Sequence, residues 1–210
     1  AELSLEDKQV GKTWRSPVEY ATITRTADKV MMSATLQLNL ESETTEIQVS
    51  AELFPDDQKL FLRSEFSGFS PSKVAPYYGI SDFFSDFDIP VDGILEAFFD
   101  FDGQIKEGAF DLKGGSGVVG IPSIMKEKVS IDQAHIKGKV ADAGNRVIFE
   151  KIIIKLPPKS TFHIPPPVSH KIPFRAIEGV GQYFFDKKRL EIFSLETDLS
   201  GPIASFKGSI

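Results

Sequence analysis

At 210 residues the chain has the length for one large β domain or two small ones, and with 41% hydrophobic residues it has the material for a core and against wholesale disorder. Lys and Arg number 24 against 30 Asp and Glu, a formal net charge of −6. That acidic balance, with no basic stripe along the sequence, disfavours nucleic acid and anionic membrane surfaces as partners. Cysteine is absent, which removes disulfides, thiolate catalysis and Cys-based zinc sites together. Such a chain fits an oxidising compartment, although cytosolic proteins can lack Cys too.

The chain opens on Ala1-Glu2-Leu3, already in strand-like alternation, and ends on Gly208-Ser209-Ile210, so it reads as a segment of something longer. No apolar run approaches the roughly 20 residues needed to span a bilayer, and no signal peptide is visible. From Val30 to Leu40 the even positions are apolar and the odd ones, Met31 apart, polar. One face is therefore buried and the other wet. Ile47, Val49, Ala51 and Leu53 continue this against Glu46, Gln48, Ser50 and Glu52. Pro55-Asp56-Asp57-Gln58 is a turn, after which Leu60, Leu62 and Phe66 follow with Arg63 and Glu65 between them. The three runs predict an antiparallel meander.

Residues 70–88 break the pattern. Ser70 as cap and Pro71 at the first helical position predict a short helix or chain of turns through Tyr77, Tyr78, Ile80, Phe83, Phe84 and Phe87, its regularity limited by Pro76 and Gly79. Strands resume at Val91. Leu95, Ala97, Phe99 and Phe101 alternate with Glu96, Phe98 and Asp100, and Asp102-Gly103 marks a hairpin turn. A strand returns over 105–112, and Gly114-Gly115-Ser116-Gly117 relaxes the chain before 118–121. Residues 129–140 and 147–156 form another pair about Asp142-Ala143-Gly144-Asn145. Six prolines, at 157, 158, 165, 166, 167 and 173, make 157–173 an extended connector or edge cover. One more hairpin over 174–199 and a final short strand close the chain. The stretch from Ala97 to Gly117 resembles that from Gln182 to Gly201, each an aromatic strand, a polar turn and a strand ending in glycine, as in a unit added serially to a growing sheet.

Chemistry-bearing clusters are sparse. His163 and His170 stand seven residues apart in the connector and His135 lies on an expected strand, with no H-x-x-x-H spacing, so a solvated or locally bonded histidine is the reading for each. The Gly114–Gly117 run lacks the following helix and Lys-Ser/Thr pair of a phosphate loop, and Val118-Val119-Gly120-Ile121-Pro122 is β-like. Asp82, Asp86, Asp88, Asp100 and Asp102 are interrupted by Phe and Ile and lack a calcium-loop pattern; they read as surface acids near chain reversals. Paired carboxylates for glycoside hydrolysis are a matter of three-dimensional spacing, and no nucleophile elbow is present. The expectation is a chain with no catalytic residues, no metal and no cofactor. The anomaly is 18 Phe against one Trp and four Tyr. Sugar-binding surfaces use the polar edges of Trp and Tyr, whereas Phe suits a protein core, the default, or hydrocarbon.

Two segments carry a family resemblance. Ile89-Pro90-Val91-Asp92-Gly93 leads into a strand, then the run from Asp102-Gly103-Gln104-Ile105 to Gly114-Gly115-Ser116-Gly117, then Ile121-Pro122. Further on come Ile131-Asp132-Gln133-Ala134-His135-Ile136-Lys137-Gly138 and Ile152-Ile153-Ile154-Lys155-Leu156. This cadence of glycines and alternating apolars resembles the AsmA-like family of large periplasmic proteins, of the YhdP and TamB type, best over residues 60–156. The resemblance implies an all-β fold, an extended, twisted antiparallel sheet curling into a half-pipe groove. In it residues 1–156 form the main sheet with the short helical segment at 70–88, 157–173 the connector, and 174–210 a further hairpin repeat of the same sheet. It also implies an inner-membrane tether outside this chain, a periplasmic location, phospholipid acyl chains and envelope proteins as partners, and a role in phospholipid movement towards the outer membrane. No catalytic residues belong to the family pattern.

The groove candidates are Val30, Met32, Ala34, Leu36, Leu38 and Leu40, continued by Ile47, Val49, Ala51, Leu53, Leu60 and Leu62, and by Leu95, Ala97 and Phe99. Each methylene of a bound chain buried on such a wall contributes about 0.8 kcal/mol. The rival expectation is a closed β-sandwich, a structural or protein-interaction module whose apolar faces bury each other.

Overall fold

The computed structural model describes residues 2–7, 12–40, 43–73, 86–120, 128–158, 160–163 and 171–209. Its strands, in chain order, are β1 (Glu2–Asp7), β2 (Lys12–Arg25), β3 (Val30–Leu40), β4 (Glu43–Phe54), β5 (Lys59–Phe69), β6 (Phe87–Asp88), β7 (Val91–Asp100), β8 (Ile105–Gly114) and β9 (Gly117–Val119). Then come β10 (Val129–Ile131), β11 (Gln133–Ala141), β12 (Arg146–Lys155), β13 (Thr161–His163), β14 (Lys171–Pro173), β15 (Ala176–Phe184), β16 (Arg189–Asp198) and β17 (Ile203–Ser209). Twelve of them make one sheet in the order β1-β2-β3-β4-β5-β7-β8-β11-β12-β15-β16-β17. Every neighbouring pair is antiparallel. The first and last strands do not pair, so the sheet is an open, curled all-β structure and not a barrel.

Turn chemistry sets the hairpins. Between β7 and β8 the Gly103 N–H donates to the Asp100 carbonyl at 3.0 Å, and the Gln104 N–H donates to the Asp100 carboxylate at 2.8 Å. Gly103 takes φ 79°, the left-handed region in which it carries no steric penalty. Four-residue turns also join β4 to β5 and β15 to β16. Aligned on their turns, the β7–β8 and β15–β16 hairpins place Phe99 and Tyr183 on the same face, one residue out of step with the repeat read from the sequence.

Three expectations are corrected, and one strand was missed. Phe87 does not belong to a helix. A single helical turn covers 71–73, just after Ser70, and Phe87 lies in β6 beside Val119. Pro90 holds the residue before it extended, which keeps 87–89 out of helical conformation. Tyr77, Tyr78, Ile80, Phe83 and Phe84 lie outside the described residues. The run 129–140 is two strands, not one: β10 pairs β9 in a three-stranded sheet, and β11 pairs β8 and β12 in the large one. The Pro-rich connector does pair, as β13 and β14 form a local ladder of their own with Pro173 at its end, opposite Thr161; a proline is tolerated at such an edge. Finally, β2, at 14 residues the longest strand, went unread between its polar residues.

Burial is thin for a chain of this mass. The accessible surface is 13856 Å², where a compact monomer of 23.2 kDa exposes about 9,700 Å² by the scaling of surface with mass. A sheet one layer thick leaves such an excess. Among the described residues the buried apolar ones are Ile89, Val119, Ile131 and Ala134, with Phe87, Val91, Ile154 and Leu156 packed around them. They sit where the small β10-β9-β6 sheet folds over one end of strands β7, β8, β11 and β12. Ile89 covers Gly114 there, where a Cβ would stand only 2.9 Å from its Cδ1. The remaining sheets, of three and two strands, are too small to provide the second layer of a sandwich over twelve.

Candidate functional site: a continuous apolar face

Cross-strand partners share a face, so the registers trace each face through the whole sheet. Beginning on β3, Ala34 faces Val49, Met32 faces Ala51 and Val30 faces Leu53. From β4 the row passes to Leu60, Leu62 and Phe66 on β5, then to Phe99, Ala97 and Gly93 on β7. It continues through Phe110 and Leu112 on β8, Ile136 and Val140 on β11, and Val147, Phe149, Ile152 and Ile154 on β12. It ends through Ile177 and Tyr183 on β15, Leu190, Ile192 and Leu195 on β16, and Phe206 on β17. Among the described side chains from β3 to β17, none on this face is charged. Arg25, opposite Val30 at the end of β2, is where charge first appears.

The opposite face carries the charges. Arg63 pairs with Glu96 across β5 and β7 and with Glu65 at 3.3 Å. Lys29 meets Glu52 at 2.7 Å and Lys139 meets Glu150 at 2.5 Å. The His135 Nε2 lies 2.8 Å from Asp111 Oδ1, a local partner on the neighbouring strand. The Glu96 hydrogen bond, followed by that of Glu65, holds the Arg63 guanidinium above its ordinary value against partial desolvation. Phe61 and Phe98 also stack on this face, with ring centroids 4.8 Å apart. The large sheet is therefore amphipathic as a whole, one side apolar and the other ion-paired.

Seven register shifts interrupt the ladders, and they keep the apolar face continuous. On β12, Val147 and Phe149 are odd-numbered and Ile152 and Ile154 even, yet all four share the face because the ladder to β15 shifts between Phe149 and Ile152. An extra residue resets the pleat and increases the local twist, which bends the sheet. At Gly138 a Cβ would run into the Ile148 carbonyl and stand 2.6 Å from the Phe110 ring. Phe110 and Phe149, 6.3 Å apart edge to face, lean together across this glycine.

Thirteen of the sequence-derived groove candidates share this face: Val30, Met32, Ala34, Leu36, Ile47, Val49, Ala51, Leu53, Leu60, Leu62, Leu95, Ala97 and Phe99. Leu38 and Leu40 continue β3 at register positions opposite Thr45 and Glu43. Leu53, Leu60, Leu62 and Phe99, with Asp100 at its rim and Phe101 and Gly103 from the turn, line a concavity of about 590 Å³. Met32 is 40% exposed, Leu95 43% and Phe101 55%, values a sealed core would not leave. The half of the face from β8 to β17 was not singled out from the sequence, although the alternation at Phe110, Leu112 and at Ile136, Gly138, Val140 carried the signal.

On the outer face Lys137 lies directly opposite Lys151 on β12 and, on its other side, opposite Asp111 on β8. Among the described residues no three Asp, Glu or His side chains converge on a metal-sized site. Of the acids weighed for calcium, Asp86 takes Lys128 at 2.8 Å and Asp100 takes Lys106 at 2.6 Å, and Asp82 lies outside the described residues. No described helix is long and apolar enough to cross a membrane. Comparison with family models, with curated proteins and with solved structures finds no match.

Proposed function

We propose that this chain is a stretch of a hydrophobic conduit, its apolar face holding phospholipid acyl chains while the charged face meets water, and that it performs no catalysis. The observation that carries the reading is the uncharged face running from β3 to β17 with no described layer across most of it. Extended exposed apolar patches on a protein surface mark binding surfaces, and this face leaves Met32, Leu95 and Phe206 among its exposed residues. Hydrocarbon suits it better than a polar ligand, because Phe, Leu, Ile and Val offer no hydrogen bonds while each methylene laid on them contributes about 0.8 kcal/mol. The cadence shared with AsmA-like proteins adds a setting: a periplasm-spanning groove in the Gram-negative envelope, tethered to the inner membrane by a segment outside this chain and serving outer-membrane lipid supply.

The test is native mass spectrometry of the protein purified from bacteria, with organic extraction of the same sample. Co-purifying diacyl phospholipid, displaced by added lipid of a different chain length, is the expected outcome. A protein free of lipid that also fails to take up a fluorescent acyl probe would refute the reading.

A further inference from the structure

The two rims of the large sheet are built differently. The short turns at 26–29, 55–58, 101–104, 142–145 and 185–188 all stand on one rim. The long connections leave from the other, and two of them, 70–90 and 115–132, supply β6, β9 and β10. Their small sheet turns Phe87, Val119 and Ile131 to one side and Asp88 and Ser130 to the other. Its apolar side packs on Val91, Ala134 and Ile154. With Gly114 these make one cross-strand row, and the row belongs to the apolar face because Gly114 follows Phe110 and Leu112 at alternate positions of β8. Ile89, Val119, Ile131 and Ala134 are 6–8% exposed, whereas at the turn rim Phe101 is 55% exposed and Ile105 38%. The chain itself seals one rim of this stretch of the wall and leaves the other open beside the concavity of Leu53, Leu60 and Phe99.

We infer that the small β10-β9-β6 sheet is a stop that gives bound lipid a fixed polarity over β7 to β12, with acyl tails pointing to the cap and the headgroup in water at the turn rim. The inference rests on the conduit reading and adds a direction to it. A tail cannot enter the capped row without displacing Ile89, Val119 and Ile131, the most buried apolar side chains of the cap. A charged headgroup placed there would lose its water with only these side chains in exchange. At the turn rim Asp100 and Lys106 form an ion pair, with Asp100 at the edge of the concavity, so a zwitterionic headgroup finds both signs of charge and solvent. Between rim and cap, the run of β8 from Ile105 to Leu112 spans about 24 Å at about 3.4 Å per residue. One leaflet of hydrocarbon is about 15 Å deep, half of a core of about 30 Å, so a whole tail fits short of the stop. Phe110 and Leu112 on β8, with Leu95 and Ala97 on β7, line that run.

The experiment uses phosphatidylcholine with a diazirine on one acyl chain, either beside the carbonyl or near the methyl end, and maps the labelled residues by mass spectrometry after illumination. The methyl-end probe labels Leu112, Ile136 and Ile152, and the carbonyl-end probe labels Phe99, Phe101 and Ile105. Neither marks Val91, Ala134 or Ile154 until Ile89→Ala opens the row, when the methyl-end probe reaches them. Interchanged patterns, one pattern from both probes, or labelling of Val91, Ala134 and Ile154 in the unaltered protein overturn the inference and leave the conduit reading standing. So does an Ile89→Ala variant that is folded by circular dichroism and keeps the original pattern. Absence of labelling from both probes overturns the two together. Should Ile89→Ala fail to fold, the two maps of the unaltered protein decide the polarity by themselves.

Discussion

Leu62 sits in the middle of β5, between Ala51 and Ala97 on the apolar face, and lines the concavity beside Leu60 and Phe99. Replacing it with Asp separates an open face from a sealed one. Leu62 is half-buried, so truncation forfeits roughly half of the 1.5–3 kcal/mol that full burial of a leucine is worth, about 1 kcal/mol. The poorer strand propensity of Asp adds at most about 1 kcal/mol. On an open face the carboxylate meets water once lipid leaves, so the total stays near 2 kcal/mol and the domain still folds. Inside a core the same carboxylate would be buried without a partner, at several kcal/mol, and the domain would not survive. For a bound acyl chain, a charge at this point displaces about three methylenes, roughly 2.4 kcal/mol, or about fiftyfold in affinity. Urea denaturation followed by circular dichroism gives the first number, and titration with a fluorescent acyl probe gives the second. Unfolding of Leu62→Asp, or unchanged probe affinity in a folded variant, refutes the open-face account.

Gly138→Ala places a Cβ against the Ile148 carbonyl and the Phe110 ring; overpacking of this kind costs about 1–3 kcal/mol and should lower the urea midpoint with no change in slope. Phe61→Ala and Phe98→Ala, on the outer face, should show a coupling of about 0.5–1.5 kcal/mol in a double-mutant cycle and no effect on acyl-probe binding. Asp92 accepts hydrogen bonds from the Ser67 hydroxyl at 2.7 Å and the Gly68 N–H at 2.8 Å, bracing the β5 shift. The Ser67 bond first, then that of Gly68, with Lys113 adding, hold its carboxyl below the ordinary 3.8 despite slight desolvation. A folded value below the unfolded one means the contribution is complete above about 3.8 and is lost as pH falls through the depressed value. Asp92→Ala should therefore cost about 1 kcal/mol at neutral pH, and the gap from wild type should close in urea titrations run in acid; an unchanging gap would show that the carboxylate charge is not what braces the shift.

The alternation from Val30 to Leu40 and from Ile47 to Leu53 was legible because the pleat has a period of two, fixed by each residue's own geometry and polarity. The same local rule marked the turns at Pro55–Gln58 and Asp102-Gly103, and it placed thirteen groove candidates on one face. Phe87 and the run 129–140 were misread because an apolar stretch between breakers does not declare which partner it will find. Only the fold could send β10 to β9 and β11 to β8. Pairings across long loops, β8 with β11 and β12 with β15, depend on which strands meet, and neither alternation nor turn chemistry encodes that. The shifts matter most. Val147 and Phe149 are out of phase with Ile152 and Ile154 in the sequence, and a bulge alone brings the four to one side. The opposition of Lys137 to Lys151 arises from register in the same way. Each strand's two faces belong to the sequence; the joining of ten of them, from β3 to β17, into one uncharged wall with a charged back belongs to the tertiary structure, because a face becomes a surface only when neighbouring pleats are held in step.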